Sequence, residues 1–163
     1  MMAEKLYNTA GRWLSTVHRY SYIFLSKTFH DYGINQGQIK FLMMLFEKEG
    51  LTQEAMAREF TIDKATVARA IQKLETEGYV RREPHESDRR SNRVYLTEKA
   101  KSLESTVKKE LDHWTETLSK GFSEQEQLLA IDLLKRMAEN AIERVERMEG
   151  GKEHETAKCK TRN

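Results

Sequence analysis

The stretch from Leu51 to Thr97 limits the possible folds most, because helical and strand-like patterns follow one another there in a fixed order. Thr52 is placed to cap a short helix, with Leu51 and Met56 at the two positions of a hydrophobic staple. That helix ends near Phe60. Thr61-Ile62-Asp63 makes a turn, and Asp63 caps a longer helix that runs to about Glu77 and is stopped by Gly78. Two β-like segments follow, residues 79–83 and 93–96, joined by the polar, turn-rich run from Pro84 to Asn92. Short strands joined by a charged loop read as a hairpin.

Short helix, tight turn, longer helix and hairpin together form a winged helix-turn-helix, in which the second helix of the pair enters the major groove of duplex DNA. That reading requires a helix with two unlike faces. At 100° per residue, Val67, Ile71 and Leu74 fall in one narrow stripe with Ala70 at its edge. The opposite side presents Ala65, Arg69, Gln72 and Lys73, flanked by Thr66 and Ala68. Small side chains let a backbone approach base edges, arginine can bridge guanine, and glutamine can bridge adenine. Lys64 and Thr66 in the first turn are placed for phosphate or base-edge contact beside free backbone amides. Taken alone, such a face also fits an ordinary solvated helix.

The hairpin shifts that balance. From Arg81 to Arg93 there are five arginines (81, 82, 89, 90 and 93) against three acidic residues, Glu83, Glu86 and Asp88. A planar, weakly hydrated guanidinium enters a narrow minor groove at lower desolvation cost than an ammonium. Asp88, two residues before Arg90, is placed to hold that arginine extended. The candidate DNA contacts are therefore Thr52 and Gln53 at the start of the short helix, Lys64, Ala65, Thr66, Arg69, Gln72 and Lys73 on the longer one, and Asp88, Arg89, Arg90 and Arg93 in the wing.

Around this core the pattern is helical. Leu6, Trp13, Val17, Tyr20, Phe24 and Phe29 mark a long first helix from Glu4 to Tyr32, capped by Gly33. A second runs from Gln36 to Glu49 before Gly50. Thr97 caps a helix carrying Leu103, Val107, Leu111, Trp114 and Leu118, which Gly121 breaks. Ser123 and Glu126 form a capping box for a last helix extending to about Glu149. The expected organisation is one mainly α domain with a small β-wing over residues 1–149. Its DNA-binding core covers 35–97, helices at 4–33 and 98–149 flank it, and a polar tail at 150–163 is expected to be disordered. With one proline and 38% hydrophobic residues, a lean helical chain of 163 residues is suited to completing its core by self-association.

The net charge of +2 offers no support for nucleic-acid binding, so the case rests on local clustering. The single cysteine, Cys159, excludes an intrachain disulfide and thiolate zinc sites of the usual kind, and it reads as an incidental tail thiol. His18, His30, His85, His113 and His154 are scattered, which argues against metal sensing. No glycine-rich phosphate loop, paired carboxylates or nucleophile with an evident base supports an enzyme, and no cofactor is implied. The longest apolar run, Phe41 to Phe46, is too short to span a bilayer, so a soluble cytoplasmic protein is expected.

The wing residues Asp88-Arg89-Arg90 followed by Val94-Tyr95-Leu96-Thr97 resemble the signature of the multiple-antibiotic-resistance-regulator (MarR) family. Leu51 to Ala57 resembles the family's first helix-turn-helix helix, and Asp63 to Val80 its recognition helix and entry to the wing. The resemblance implies a homodimer of triangular outline, with the first and the last two helices at the dimer interface. It implies a transcriptional regulator, most often a repressor, on a pseudo-palindromic operator. Lys64, Thr66 and Arg69 would meet the major groove and Arg90 the minor groove. It also implies release by an aromatic or phenolic ligand bound between the dimerisation and DNA-binding regions. Trp13, His18, Tyr20, Tyr22 and His30 on the first helix are candidates to line such a pocket, although the same spacing fits core or dimer interface. The alternative reading is a winged-helix protein–protein module that meets an acidic partner.

Overall fold

The computed structural model describes the backbone of residues 9–84 and 92–160, and side chains as far as residue 148. Packing divides the chain into two compact units at Thr115/Glu116. Helix α1 (Ala10–Thr28) opens the first, capped by the Thr9 hydroxyl, which accepts from the Arg12 amide. The expected earlier residues, Glu4 to Asn8, lie outside the described residues. At its other end α1 stops short of Tyr32. Phe29, fully buried, leaves helical geometry, and His30–Tyr32 tightens into a 3-10 turn before Gly33 takes φ +68°. The stop at Gly33 stands as expected. Only the last turn differs.

Asn35 and Gln38 form a reciprocal capping box at the head of α2 (Gln36–Glu47), the Asn35 amide donating to Gln38 Oε1 at 2.8 Å. This bond accounts for a glutamine that is only 3% exposed. Helix α2 ends two residues before Glu49 because Lys48 is already extended, at φ −151° and ψ 110°. The chain is then entering a strand absent from the sequence reading, β1 (Leu51–Thr52). Two residues are too few to show alternation. Strand β1 pairs with β3 (Asn92–Leu96), matching Leu51 to Val94 and Thr52 to Arg93. On the other side β3 pairs with β2 (Val80–Pro84), Val80 opposite Leu96 and Pro84 opposite Asn92, so the antiparallel order is β1-β3-β2. Gly50 reaches this edge at φ +75°, with the Tyr95 ring 3.2 Å from where a Cβ would sit.

Helices α3 (Gln53–Glu59) and α4 (Lys64–Thr76) form the expected pair, and α5 (Glu98–Leu118) follows the hairpin. Their inner faces meet in one core with Phe29, Phe41, Leu42, Leu45, Met56, Val67, Ile71, Leu74, Tyr79, Val94 and Val107 fully buried. Each such aliphatic side chain contributes about 1.5–3 kcal/mol by leaving water. Helix α5 is tied to α1 by Trp114, whose ring stacks on Phe24 at 4.6 Å and whose Nε1 donates to Ser21 Oγ at 3.0 Å.

The second unit takes in the end of α5, then Gly121 at φ +88° and the expected capping box, in which the Ser123 amide donates to Glu126 Oε2 at 2.8 Å. Helix α6 (Glu124–Lys160) then continues past the expected end near Glu149, through Gly150-Gly151. A glycine costs about 1 kcal/mol in a helix but does not break its hydrogen-bond ladder as proline does. Leu128, Leu129, Ile131, Leu134, Met137, Val145 and Met148 on α6 are exposed.

The chain reversal after α4 depends on Gly78 at φ +75°, after which the Tyr79 hydroxyl donates to the Tyr32 carbonyl at 2.8 Å. Tyr79 is 1% exposed, so Tyr79→Phe keeps the packed ring and strands that carbonyl. A loss of about 1 kcal/mol in unfolding free energy is expected, seen as a melting temperature lower by several degrees in a thermal denaturation experiment.

Candidate nucleic-acid interface

Helix α4 presents the two faces its sequence requires. Val67, Ile71 and Leu74 are fully buried, whereas Lys64, Ala65, Arg69, Gln72 and Lys73 are exposed and Thr66 and Ala68 are partly so. Burial of the stripe fixes the rotation of the helix about its axis and so aims the outer face.

The first turn carries a connected set of polar groups. Asp63 Oδ1 accepts from the Thr66 amide at 2.8 Å, which is the expected cap. Its Oδ2 accepts from the Thr66 hydroxyl at 2.6 Å, and that hydroxyl oxygen in turn accepts from Arg69 Nη2 at 3.0 Å. The Thr66 side-chain bond foremost, then its backbone amide, holds the Asp63 carboxyl below its ordinary range. Lys64 lies 3.7 Å from Glu54 of α3, and Lys73 lies 3.3 Å from Glu77 one turn on. Both pairs are solvated, so a phosphate can replace either carboxylate at small cost.

The other candidates fall into three groups. Thr52 is spent on structure, its hydroxyl accepting from the Ala55 amide at 3.2 Å, and Gln53 beside it is half-buried. Arg93 turns back into the sheet and donates from Nη1 to the Gly50 carbonyl at 2.8 Å. Asp88, Arg89 and Arg90 lie outside the described residues, as does the rest of the wing tip.

Two arginines at the wing base have roles that the sequence did not disclose. Arg82 donates from Nε and Nη2 to Glu75 Oε2 on α4, the first at 2.9 Å, strapping β2 to the helix. Arg81 pairs with Glu83 and lies 5.0 Å over the Tyr95 ring. At the far end of α4, Lys99 of α5 donates to the Glu77 carbonyl at 2.6 Å and lies 4.2 Å over the Tyr79 ring. A cation on a terminal helix carbonyl is favoured by the helix dipole.

A family model described as "MarR family" matches residues 34–92, which covers α2, the helix pair and β2 and stops at the first residue of β3. A solved MarR transcriptional regulator from Methanosarcina mazei is 44% identical, covering 82% of this chain and 96% of that one, with a TM-score of 0.75. The HTH-type transcriptional regulator YybA of Bacillus subtilis is 34% identical over 71% of this chain and 77% of its own length. This chain belongs to the MarR family. A further MarR-family structure, from Listeria monocytogenes and complexed with a 26mer DNA, is 25% identical. It covers 83% of this chain and 91% of that one at a TM-score of 0.77. These relatives are transcriptional regulators. No described helix is long and apolar enough to cross a membrane, and no three described His, Cys, Asp or Glu residues cluster as metal ligands.

In the MarR-family fold of this chain, a cleft of about 910 Å³ lies between α1, α2, α3 and α5. Its lining is mainly apolar, with Leu25, Ile39, Met43, Met44, Phe60 and Leu111, and polar groups from His18, Lys40, Glu47 and Glu59. Lys40 sits 5.0 Å over the Phe60 ring. Of the five candidates expected on the first helix, four lie on α1 and His30 falls in the 3-10 turn after it; His18 reaches this cleft. Trp13, Tyr20 and Tyr22 are exposed on α1, each about half accessible, and His30 is exposed beside Asp31.

The strap between Arg82 and Glu75 sets a titration. The guanidinium holds the Glu75 carboxyl below its ordinary value near 4.5. A depressed acid stabilises the fold above its unfolded pKa, and that contribution is lost as pH falls through the folded value. Both side chains are about one-third exposed, which limits the pair to about 1 kcal/mol. In an NMR titration Glu75 is expected to protonate below 4.5 in the native protein and to move upward in Arg82→Ala. An unmoved Glu75 would dissolve the strap.

Proposed function

We propose that this MarR-family regulator binds duplex DNA sequence-specifically as a homodimer, represses transcription from a pseudo-palindromic operator, and is released by a small aromatic ligand. The observation that carries the reading is the exposed outer face of α4, where Arg69, Gln72 and Lys73 stand among the small residues Ala65 and Ala68 above a buried stripe. Arginine and glutamine can read guanine and adenine in the major groove, and small neighbours permit close approach. The complex of a Listeria relative with DNA supports the same use of the fold.

Self-association is supported by exposed apolar side chains. Trp13, Leu14, Val17, Tyr20 and Ile23 on α1, and separately the row from Leu128 to Met148 on α6, are too large to leave in water without cause. Two copies of α4 related by a two-fold axis would read a two-fold site. The cleft beside His18 and Lys40 supports the ligand, since a flat aromatic molecule would find methionine and phenylalanine walls, with Lys40 and Lys48 beside Glu47 and Glu59 to bind its polar groups.

A mobility-shift titration on duplex from the protein's own upstream region tests the reading. Two chains should bind per site, and affinity should fall by orders of magnitude between low and physiological salt as phosphate-bound counterions are released. Arg90→Ala should weaken binding markedly with dimerisation intact. Absence of any shift at low salt would instead favour a protein–protein module. A panel of aromatic acids should raise the melting temperature and release DNA if the cleft is the effector site.

A further inference from the structure

The first turn of α4 holds a directional relay that ends on the residue best suited to read a base. A hydroxyl has one proton to donate. Thr66 gives its proton to Asp63 Oδ2 at 2.6 Å, so its oxygen faces Arg69 as an acceptor, and Arg69 Nη2 donates to it at 3.0 Å. Asp63 is itself fixed, because its other oxygen holds the Thr66 amide at 2.8 Å. The negative charge at one end polarises the hydroxyl and strengthens the bond at the other.

We propose that Thr66 is a positioning residue for Arg69: the Asp63–Thr66–Arg69 relay preorganises that guanidinium for a guanine edge and so sets base specificity. The inference rests on the DNA-binding reading above and assigns Thr66 a part other than direct contact. A free arginine loses rotamer freedom when it docks on a base, and restraint before binding removes part of that cost. One bond to Thr66 uses one of the five N–H donors of a guanidinium, and bidentate recognition needs two more. The carboxylate at the base of the relay also repels phosphate, which disfavours a slide of Arg69 from base to backbone.

The test is a double-mutant cycle on a duplex that the wild-type protein selects from a random-sequence library, with a scrambled duplex as reference. Thr66→Val is nearly isosteric and leaves the Asp63 bond to the backbone amide. It should reduce the selected-over-scrambled affinity ratio about tenfold, the size of a damaged base contact, with the salt slope unchanged. Thr66→Ser keeps the hydroxyl and should stay within about twofold of wild type. In an Arg69→Ala background, Thr66→Val should change the ratio no further, because its effect passes through the arginine. A Thr66→Val protein with wild-type specificity overturns the relay. So do effects of Thr66→Val and Arg69→Ala that multiply, since Thr66 then meets the DNA itself. A wild-type protein that selects no duplex overturns the DNA-binding reading, and the relay's role with it.

Discussion

Burial of Val67, Ile71 and Leu74 is the constraint on which the functional surface depends. At about 100° per residue these three side chains fall within about 60° of one another on α4. A rotation by one residue would drag Ala68 and Gln72 toward the core and expose the stripe, at a cost of several kcal/mol in lost burial. The outer face is thus aimed by the inner one. Position along the axis is fixed separately. Asp63 holds the first turn, and Lys99 and the Tyr79–Tyr32 bond hold the last. The helix offered to solvent is therefore held at both ends as well as along its inner face.

Charge at the interface is arranged so that little of it is idle. Lys64 faces Glu54, Lys73 faces Glu77, Arg81 faces Glu83 and Arg82 faces Glu75. These pairs explain why a net charge of +2 is compatible with binding a polyanion. Solvated pairs contribute little to stability, so exchange of a carboxylate for a phosphate is inexpensive. The straps differ from the exchangeable pairs in geometry. Arg82 places two donors on one carboxylate oxygen across α4 and β2, and Arg93 closes on a backbone carbonyl. Arg69 instead gives one donor to the Thr66 hydroxyl, which keeps its guanidinium on the outer face of α4 and engages no carboxylate directly.

What the sequence made legible was local. The caps at Thr52, Asp63, Thr97 and Ser123 act over three residues, and the glycines at 33, 50, 78 and 121 all take positive φ, although Gly50 lies beyond the extended Lys48 that ends its helix. Both belong to a few consecutive letters. The two faces of α4 followed from its period. The missing pieces were those whose partner is remote. Arg82 finds Glu75 through a chain reversal, Arg93 finds Gly50 across forty-three positions, and β1 exists only because β3 lies beside it. The aromatic residues of α1 illustrate the same limit. Their spacing placed them on a helix, but whether a residue lines the cleft depends on α2, α3 and α5, and His18 is the member of that group so placed.

The cleft and the interface share α3, which gives the ligand reading a physical route. Ala55 and Glu59 of α3 line the cleft, while Glu54 of the same helix pairs with Lys64 on α4. Leu51 also lines the cleft and is paired in register with Val94 of the wing strand. A ligand that displaces β1 would move the root of the wing through its pairing with β3, and one that displaces α3 would act on α4 through the packing of the two helices. It need not unfold anything to do so. The size of the response is bounded by linkage, since a ligand shifts the DNA equilibrium only by its difference in affinity for the two arrangements. The same factor by which it weakens DNA is the factor by which DNA weakens it. A tight ligand that leaves α3 and β1 where they are would fill the cleft and release nothing.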